Sequence, residues 1–258
     1  MLTTRPEGGR RMGPNQEFKN ELDRLIDHQL LPEERDFVWT YDRAVLLESV
    51  RVLEHAGPAD WARPTPCADW DLRALVSHMA GQHHGFAAAA DGAGADLRHW
   101  RPRPLPPGDK TLGDEPIEDN PIEDNPIEDD PIGDDPVVVY RTAVARVAES
   151  FARPGAAERR FDLPEISTTR SFPATVAVEF HFLDFAVHTW DMARALGLDW
   201  EPADDIAEAA LTVALRVPDD GRRLAPGAAF GPARTPARDG RPFDLVLTTL
   251  GRSPAWTP

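Results

Sequence analysis

The sequence has a single cysteine, Cys67, among 258 residues. No intrachain disulfide can form, and a reducing cytoplasmic setting is the natural expectation. Lysine is nearly missing, with only Lys19 and Lys110, so arginine carries almost all the positive charge. Basic residues are also outnumbered, 28 against 44, for a net charge of −16. Nucleic-acid binding rests on cationic neutralisation of phosphate, so that balance argues against it, and against an anionic membrane surface as well. No run approaches the roughly 18 apolar residues of a membrane span. The first eleven residues lack the apolar core of a secretory signal.

Proline, by contrast, is plentiful, and its positions are informative. Most of the 26 prolines gather before residue 36, between 101 and 136, and after 217. The stretches between are free to be helical, and the length suffices for one domain with a sizeable core. Residues 1–35 read as a largely irregular N-terminal extension with one short helix near 16–30. Residues 36–200 read as a helical bundle, and 201–258 as a C-terminal helical extension and tail.

Apolar spacing places the helices. The first runs from about Asp36 to His55 on Val38, Tyr41, Val45, Leu46, Val50 and Leu53, and Gly57-Pro58 stops it. An irregular connector follows, with Trp61 and Trp70 as lids over the end of the bundle. Asp71 is a good N-cap for a second helix to about Ala90. Asp135-Pro136 opens a third, to about Ala152. Alternation at Phe161, Leu163 and Ile166 suggests a short hairpin within 159–172. A fourth helix runs from about Pro173 to Leu196, ended by Gly197. A fifth is expected over 203–217 and a last short one over 241–250.

Between the second and third helices lies a linker, 91–136. It contains a tandem repeat, Pro116–Asn120, Pro121–Asn125, Pro126–Asp130 and Pro131–Asp135. A proline every five residues blocks helix and sheet, and the carboxylates repel one another, so an extended, disordered loop is expected. Calcium binding is disfavoured, because the glycine turn and fixed ligand spacing of a calcium loop are missing. Four helices with one long crossover suit an all-α, antiparallel four-helix bundle, in which metal sites sit between facing helices.

The residues with chemical potential are His78 on the second helix and Asp184 and His188 on the fourth. Asp184 and His188 stand four apart, on one helix face, and could grip one ion together. His78 would be the third ligand if the two helices pack side by side. Three N/O ligands with a position left open suit a catalytic divalent metal. Three polar residues satisfied inside a bundle core would look the same from spacing alone. His181 shares the face of Asp184. It could replace that ligand, serve as a catalytic general base, or close an internal hydrogen bond; the catalytic role is favoured over ligation. Asp191 could accept a hydrogen bond from His188 or be a surface carboxylate. His83 and His84 are expected to face solvent. Cys67 reads as a small buried residue beside Trp70 in preference to a nucleophile. Trp190 reads as packing, and Arg73 as solvent-exposed.

Two stretches resemble a known family. Pro64-Thr-Pro-Cys67-Ala-Asp-Trp70-Asp-Leu-Arg-Ala-Leu75-Val-Ser-His78 is similar to the N-terminal signature of mycothiol-dependent maleylpyruvate isomerases and their DinB-like relatives. Asp184-Phe-Ala-Val-His188-Thr-Trp190-Asp191-Met-Ala-Arg-Ala-Leu-Gly197 is similar to the second signature. The closing Phe230-Gly-Pro and Asp244-Leu-Val-Leu-Thr-Thr-Leu-Gly251-Arg are similar to an uncharacterised bacterial branch of the superfamily. The resemblance covers roughly residues 36–252. It implies a DinB-like bundle with a divalent metal on His78, Asp184 and His188. Zinc leads, and nickel, iron and manganese suit the same donors. The isomerase has glutamate where Asp184 stands. The resemblance also implies a low-molecular-weight thiol such as mycothiol as cosubstrate, delivered as its thiolate to a small electrophile, in transfer or isomerisation. A non-catalytic metal sensor or partner-binding protein is the alternative, and a metal-dependent hydrolase a third.

Overall fold

The computed structural model describes residues 32–106, 135–225, 228–236 and 240–258. The expected helix near 16–30 and the acidic repeat up to residue 134 lie outside them. Among the described residues there are six α-helices and one two-stranded sheet: α1 (Pro32–Leu53), α2 (Leu72–Asp91), α3 (Pro136–Ala152), β1 (Arg160–Asp162), β2 (Ser171–Pro173), α4 (Ala174–Leu196), α5 (Asp204–Ala214) and α6 (Pro242–Thr249). No described helix is long and apolar enough to cross a membrane.

Local chemistry sets the ends of these elements. The Asp71 carboxylate accepts from the Ala74 amide at 2.8 Å and starts α2. That helix stops at Gly92, whose φ of +89° favours glycine. Asp135 caps α3 through the Val137 amide, with Pro136 at the first helical position. α4 ends at Gly197, with φ +72°. β1 and β2 pair antiparallel, with Phe161 opposite Phe172, so the expected hairpin is present. Both phenylalanines are fully buried.

The four long helices pack as a bundle, α1 along α4 and α2 along α3, with α2 also against α4. On α2 and α4 His83 meets His181 while His78 meets His188, so these two helices run in opposite directions. α2 and α3 run in the same direction, since His83 meets Tyr140 and Asp91 meets Ser150 and Arg153. Only a long crossover can join consecutive helices in that sense. α4 is the central element: between His181 and Ala193 every residue but Asp184 is buried.

The start of the crossover differs from the expected loose linker. Leu97–Trp100 forms a 3-10 turn, and residues 100–106 lie along α2. Gly81 and Gly85, one turn apart, provide the bed. A Cβ on Gly81 would stand 2.3 Å from the Arg101 carbonyl, and one on Gly85 2.3 Å from the Trp100 ring. Trp100 is buried edge-on to Phe86 and donates its indole N–H to the Gly94 carbonyl at 2.8 Å. Ser77 and Arg103 exchange hydrogen bonds, and Arg73 donates to the carbonyls of Leu105 and Pro106. Arg73 is therefore half-buried and engaged, not solvent-exposed as its sequence position suggested, because the returning chain passes over it.

Gly85→Ala should force the Trp100 ring off its bed. We expect a loss of about 1–3 kcal/mol in urea denaturation with helix content retained, whereas Gly221→Ala, where a Cβ meets nothing, should change stability far less.

Candidate metal centre

α2 and α4 bring the three sequence-predicted ligands together. One donor atom each from His78, Asp184 and His188 lie within 4.8 Å of one another. His188 Nε2 stands 3.5 Å from Asp184 Oδ1. Two ligands of a tetrahedral ion with bonds near 2.0–2.1 Å are separated by about 3.3 Å, so that pair already has a chelating distance. The ring centroids of His78 and His188 are 5.6 Å apart and nearly perpendicular. His188 is buried, while His78 and Asp184 are only partly so, which leaves the trio open on the Asp184 side.

The other nitrogen of His188 is held from behind. Nδ1 donates to Asp191 Oδ2 at 3.0 Å. Asp191 has no exposed surface and is gripped in turn by Arg252 at 3.1 Å. Of the two readings of Asp191, the structure has the hydrogen-bond acceptor and not the surface carboxylate. Burial works against ionisation of Asp191, but the Arg252 charge and the His188 hydrogen bond outweigh it and hold its carboxyl at about 2. A carboxylate on the far nitrogen fixes the ring orientation and leaves Nε2 free for an ion, the usual support for a metal-bound histidine.

Cys67 joins this back layer. Its Sγ lies 3.1 Å from Asp191 Oδ2, 3.7 Å from His188 Nδ1 and 3.5 Å from Arg252. Cys67, His188 and Asp191 could themselves form a ligand group. The Arg252 guanidinium already supplies a cation there, so a metal would meet like charge. His78, Asp184 and His188 form the better site because the Arg252 guanidinium is bonded to Asp191 and not to any of them. The connector that carries Cys67 is stitched by Thr65, whose hydroxyl accepts from the Cys67 amide and donates to the Trp70 carbonyl. Trp70 lies against the His78 ring at 4.7 Å between centroids and walls one side.

The electrostatics suit an ion. Burial, with some help from the neighbouring His188 charge, lowers His78 from 6.5 to about 4, and Asp184 only partly opposes this. His78 is therefore neutral and ready to ligate at pH 7. Burial also opposes charge on His188, but Asp184, Asp191 and Cys67 together reverse the sign and raise it well above 6.5. Without an ion, His188 carries the compensating positive charge; an ion would take that role.

His181 does not join the trio. It has no exposed surface, shares a hydrogen bond between Nδ1 and Asp42 Oδ1 at 2.6 Å and meets His83 at 3.2 Å. Its geometry is that of the internal hydrogen bond. His83 and His84 were expected to face solvent, yet both are buried. The crossover, α3 and β1 cover the second half of α2, so it has no wet face. Arg252 is the site residue that sequence spacing missed. It follows α6 by three positions, just after Gly251, whose φ of +84° turns the chain back towards the site.

Together, bundle and ligand set define a helical protein with a candidate divalent-metal site between its second and fourth long helices. Comparison with known proteins agrees: the chain belongs to the mycothiol maleylpyruvate isomerase N-terminal domain family, which it matches over residues 43–193. It is also similar to an uncharacterized protein of Mycobacterium tuberculosis, represented in strains CDC 1551 / Oshkosh and ATCC 25618 / H37Rv. Each is 26% identical over 210 residues, covering 81% of this chain and 91% of the relative. No solved structure matches the chain.

Ligation requires a neutral imidazole, so an ion must displace the His188 proton. Zinc affinity should therefore rise with pH, by about tenfold per unit while His188 is protonated in the free protein, with one proton released per ion. Calorimetric titrations at pH 6, 7 and 8 in buffers of different ionisation enthalpy measure both.

Proposed function

We propose that this protein is a divalent-metal-dependent enzyme that activates a low-molecular-weight thiol, mycothiol-like, for addition to a small electrophilic substrate, as an S-transferase or isomerase. The main support is the His78, Asp184 and His188 cluster, backed by Asp191 and Arg252, in a chain of this family. Zinc fits two imidazoles and one carboxylate best, and nickel, iron and manganese accept the same donors. A bound ion would lower the pKa of a ligated thiol, so that a thiolate is available at neutral pH.

The chain's own residues would do the rest. Asp191 keeps the His188 ring turned so that Nε2 faces His78 and Asp184. Arg252 neutralises Asp191 and prevents that carboxylate from taking the His188 proton permanently. Trp70 covers the His78 ring on one side and excludes water there. Thiol and substrate would approach past Asp184, the least enclosed residue of this stretch of α4. The partners would then be small molecules, with neither nucleic acid nor membrane, in a cytoplasmic setting.

Purified protein should contain close to one equivalent of divalent metal by elemental analysis, and His188→Ala should lose it. Metal-loaded protein should join a low-molecular-weight thiol to electrophilic acceptors, and His188→Ala should reduce that rate by at least about a hundredfold. Turnover without thiol would instead favour hydrolysis. Stable metal with no turnover on any acceptor would favour a sensor.

A further inference from the structure

A second polar system lies in the core, about one helical turn from the candidate metal ligands. Asp42, His181, His83, Tyr140 and Ser49 form one hydrogen-bonded chain, and none is more than 2% exposed. Asp42 Oδ1 meets His181 Nδ1 at 2.6 Å, and His181 Nε2 meets His83 Nδ1 at 3.2 Å. His83 Nε2 meets the Tyr140 hydroxyl at 3.3 Å. Tyr140 donates to Ser49 Oγ at 2.9 Å, and Ser49 donates to the Leu46 carbonyl at 2.8 Å. The chain touches all four long helices. Around it are Phe86, Phe151 and Phe185, with Phe185 stacked on His83 at 3.9 Å between centroids.

The protons can be followed from one end. Ser49 uses its only proton on Leu46, and Tyr140 uses its only proton on Ser49. Tyr140 can then only accept from His83, so His83 carries a proton on Nε2. In a neutral His83, Nδ1 is then an acceptor, and His181 Nε2 must donate to it. The bond to Asp42 needs a further proton. The Asp42–His181 pair therefore holds two protons and is neutral overall, as an imidazolium with a carboxylate or as a neutral imidazole with a carboxylic acid. A dry core favours that, since an isolated charge there would be costly.

We propose that this chain is a positioning strut for the metal centre: the His83–His181 contact, held in one proton arrangement by Asp42 and Tyr140, sets the spacing of the two helices that carry His78, Asp184 and His188. The inference rests on the proposed metal site for its functional consequence. His83 lies five residues after His78, and His181 three before Asp184, so the strut joins α2 to α4 next to the ligands. The groups facing the two imidazoles are Asp42 from α1, Tyr140 from α3 and His84 on α2. Burial, with His181 and His84 nearby, pushes His83 well below 6.5, and burial pushes the Tyr140 hydroxyl up, so both keep the forms that the proton count requires.

Imidazole 15N–1H correlation spectra of the wild-type protein should show His83 protonated on Nε2 alone, unchanged between pH 6 and 8, and His181 Nε2 bearing a proton at pH 7. Tyr140→Phe removes the acceptor for His83 Nε2. It should move His83 to the Nδ1–H form, weaken zinc binding by about tenfold and leave the circular dichroism spectrum unchanged. His83→Gln keeps one donor and one acceptor and should bind zinc more tightly than His83→Ala. Wild-type His83 in the Nδ1–H form would overturn the proposal. So would zinc affinity in Tyr140→Phe within about twofold of wild type. Failure of the wild type to bind zinc would remove the metal reading instead. The strut is then judged from the His78 and His188 ring resonances, which shift in Tyr140→Phe if it sets their spacing and stay in place if it does not.

Discussion

The imidazole of His188 works in two directions, and the candidate site depends on its doing so. Nδ1 is tied through Asp191 to Arg252, behind the bundle wall, while Nε2 faces His78 and Asp184 across the groove between α2 and α4. Without the tie, the ring could turn and the site would lose its geometry. Without Arg252, a carboxylate with no exposed surface would keep only the His188 ring and the Cys67 thiol as partners. Breaking a buried pair by removing one partner leaves an uncompensated charge, so this back layer contributes to folding as well as to the site.

Much of the fold could be read from the sequence because its end signals are local. Asp71 and Asp135 cap the helices expected to start beside them, and Gly197 ends the one before it. The hairpin showed in the alternation around Phe161. The path of the chain after Gly92 was hidden, because it depends on a meeting between separate segments. Gly81 and Gly85 look like weak helix formers in a linear reading. Their purpose becomes clear only when Trp100 and Arg101 lie on them.

Legibility of the site follows the same division. Asp184 and His188 announce themselves by four-residue spacing on one helix, and His78 stands out as an inward-pointing histidine on a second helix, a reading the resemblance to a known family supports. Asp191 was half-visible, three positions beyond His188. Arg252 and Cys67 arrive from segments 61 and 124 residues away from Asp191 in the chain, with no periodicity to connect them. His83 and His84 misled for an opposite reason: polarity on an otherwise apolar helix suggests a wet face, but α2 is covered on every side in that half. Buried histidines must find partners, and those of His83 come from α3 and α4.

The crossover is anchored at two points before α3 begins. Arg73 clasps the carbonyls of Leu105 and Pro106, five residues ahead of His78, and the Asp135 carboxylate secures the first turn of α3. A pull on the chain beyond Pro106 would be taken up first by the Arg73 guanidinium, and one ahead of Pro136 by the Asp135 cap, so neither would reach His78 directly.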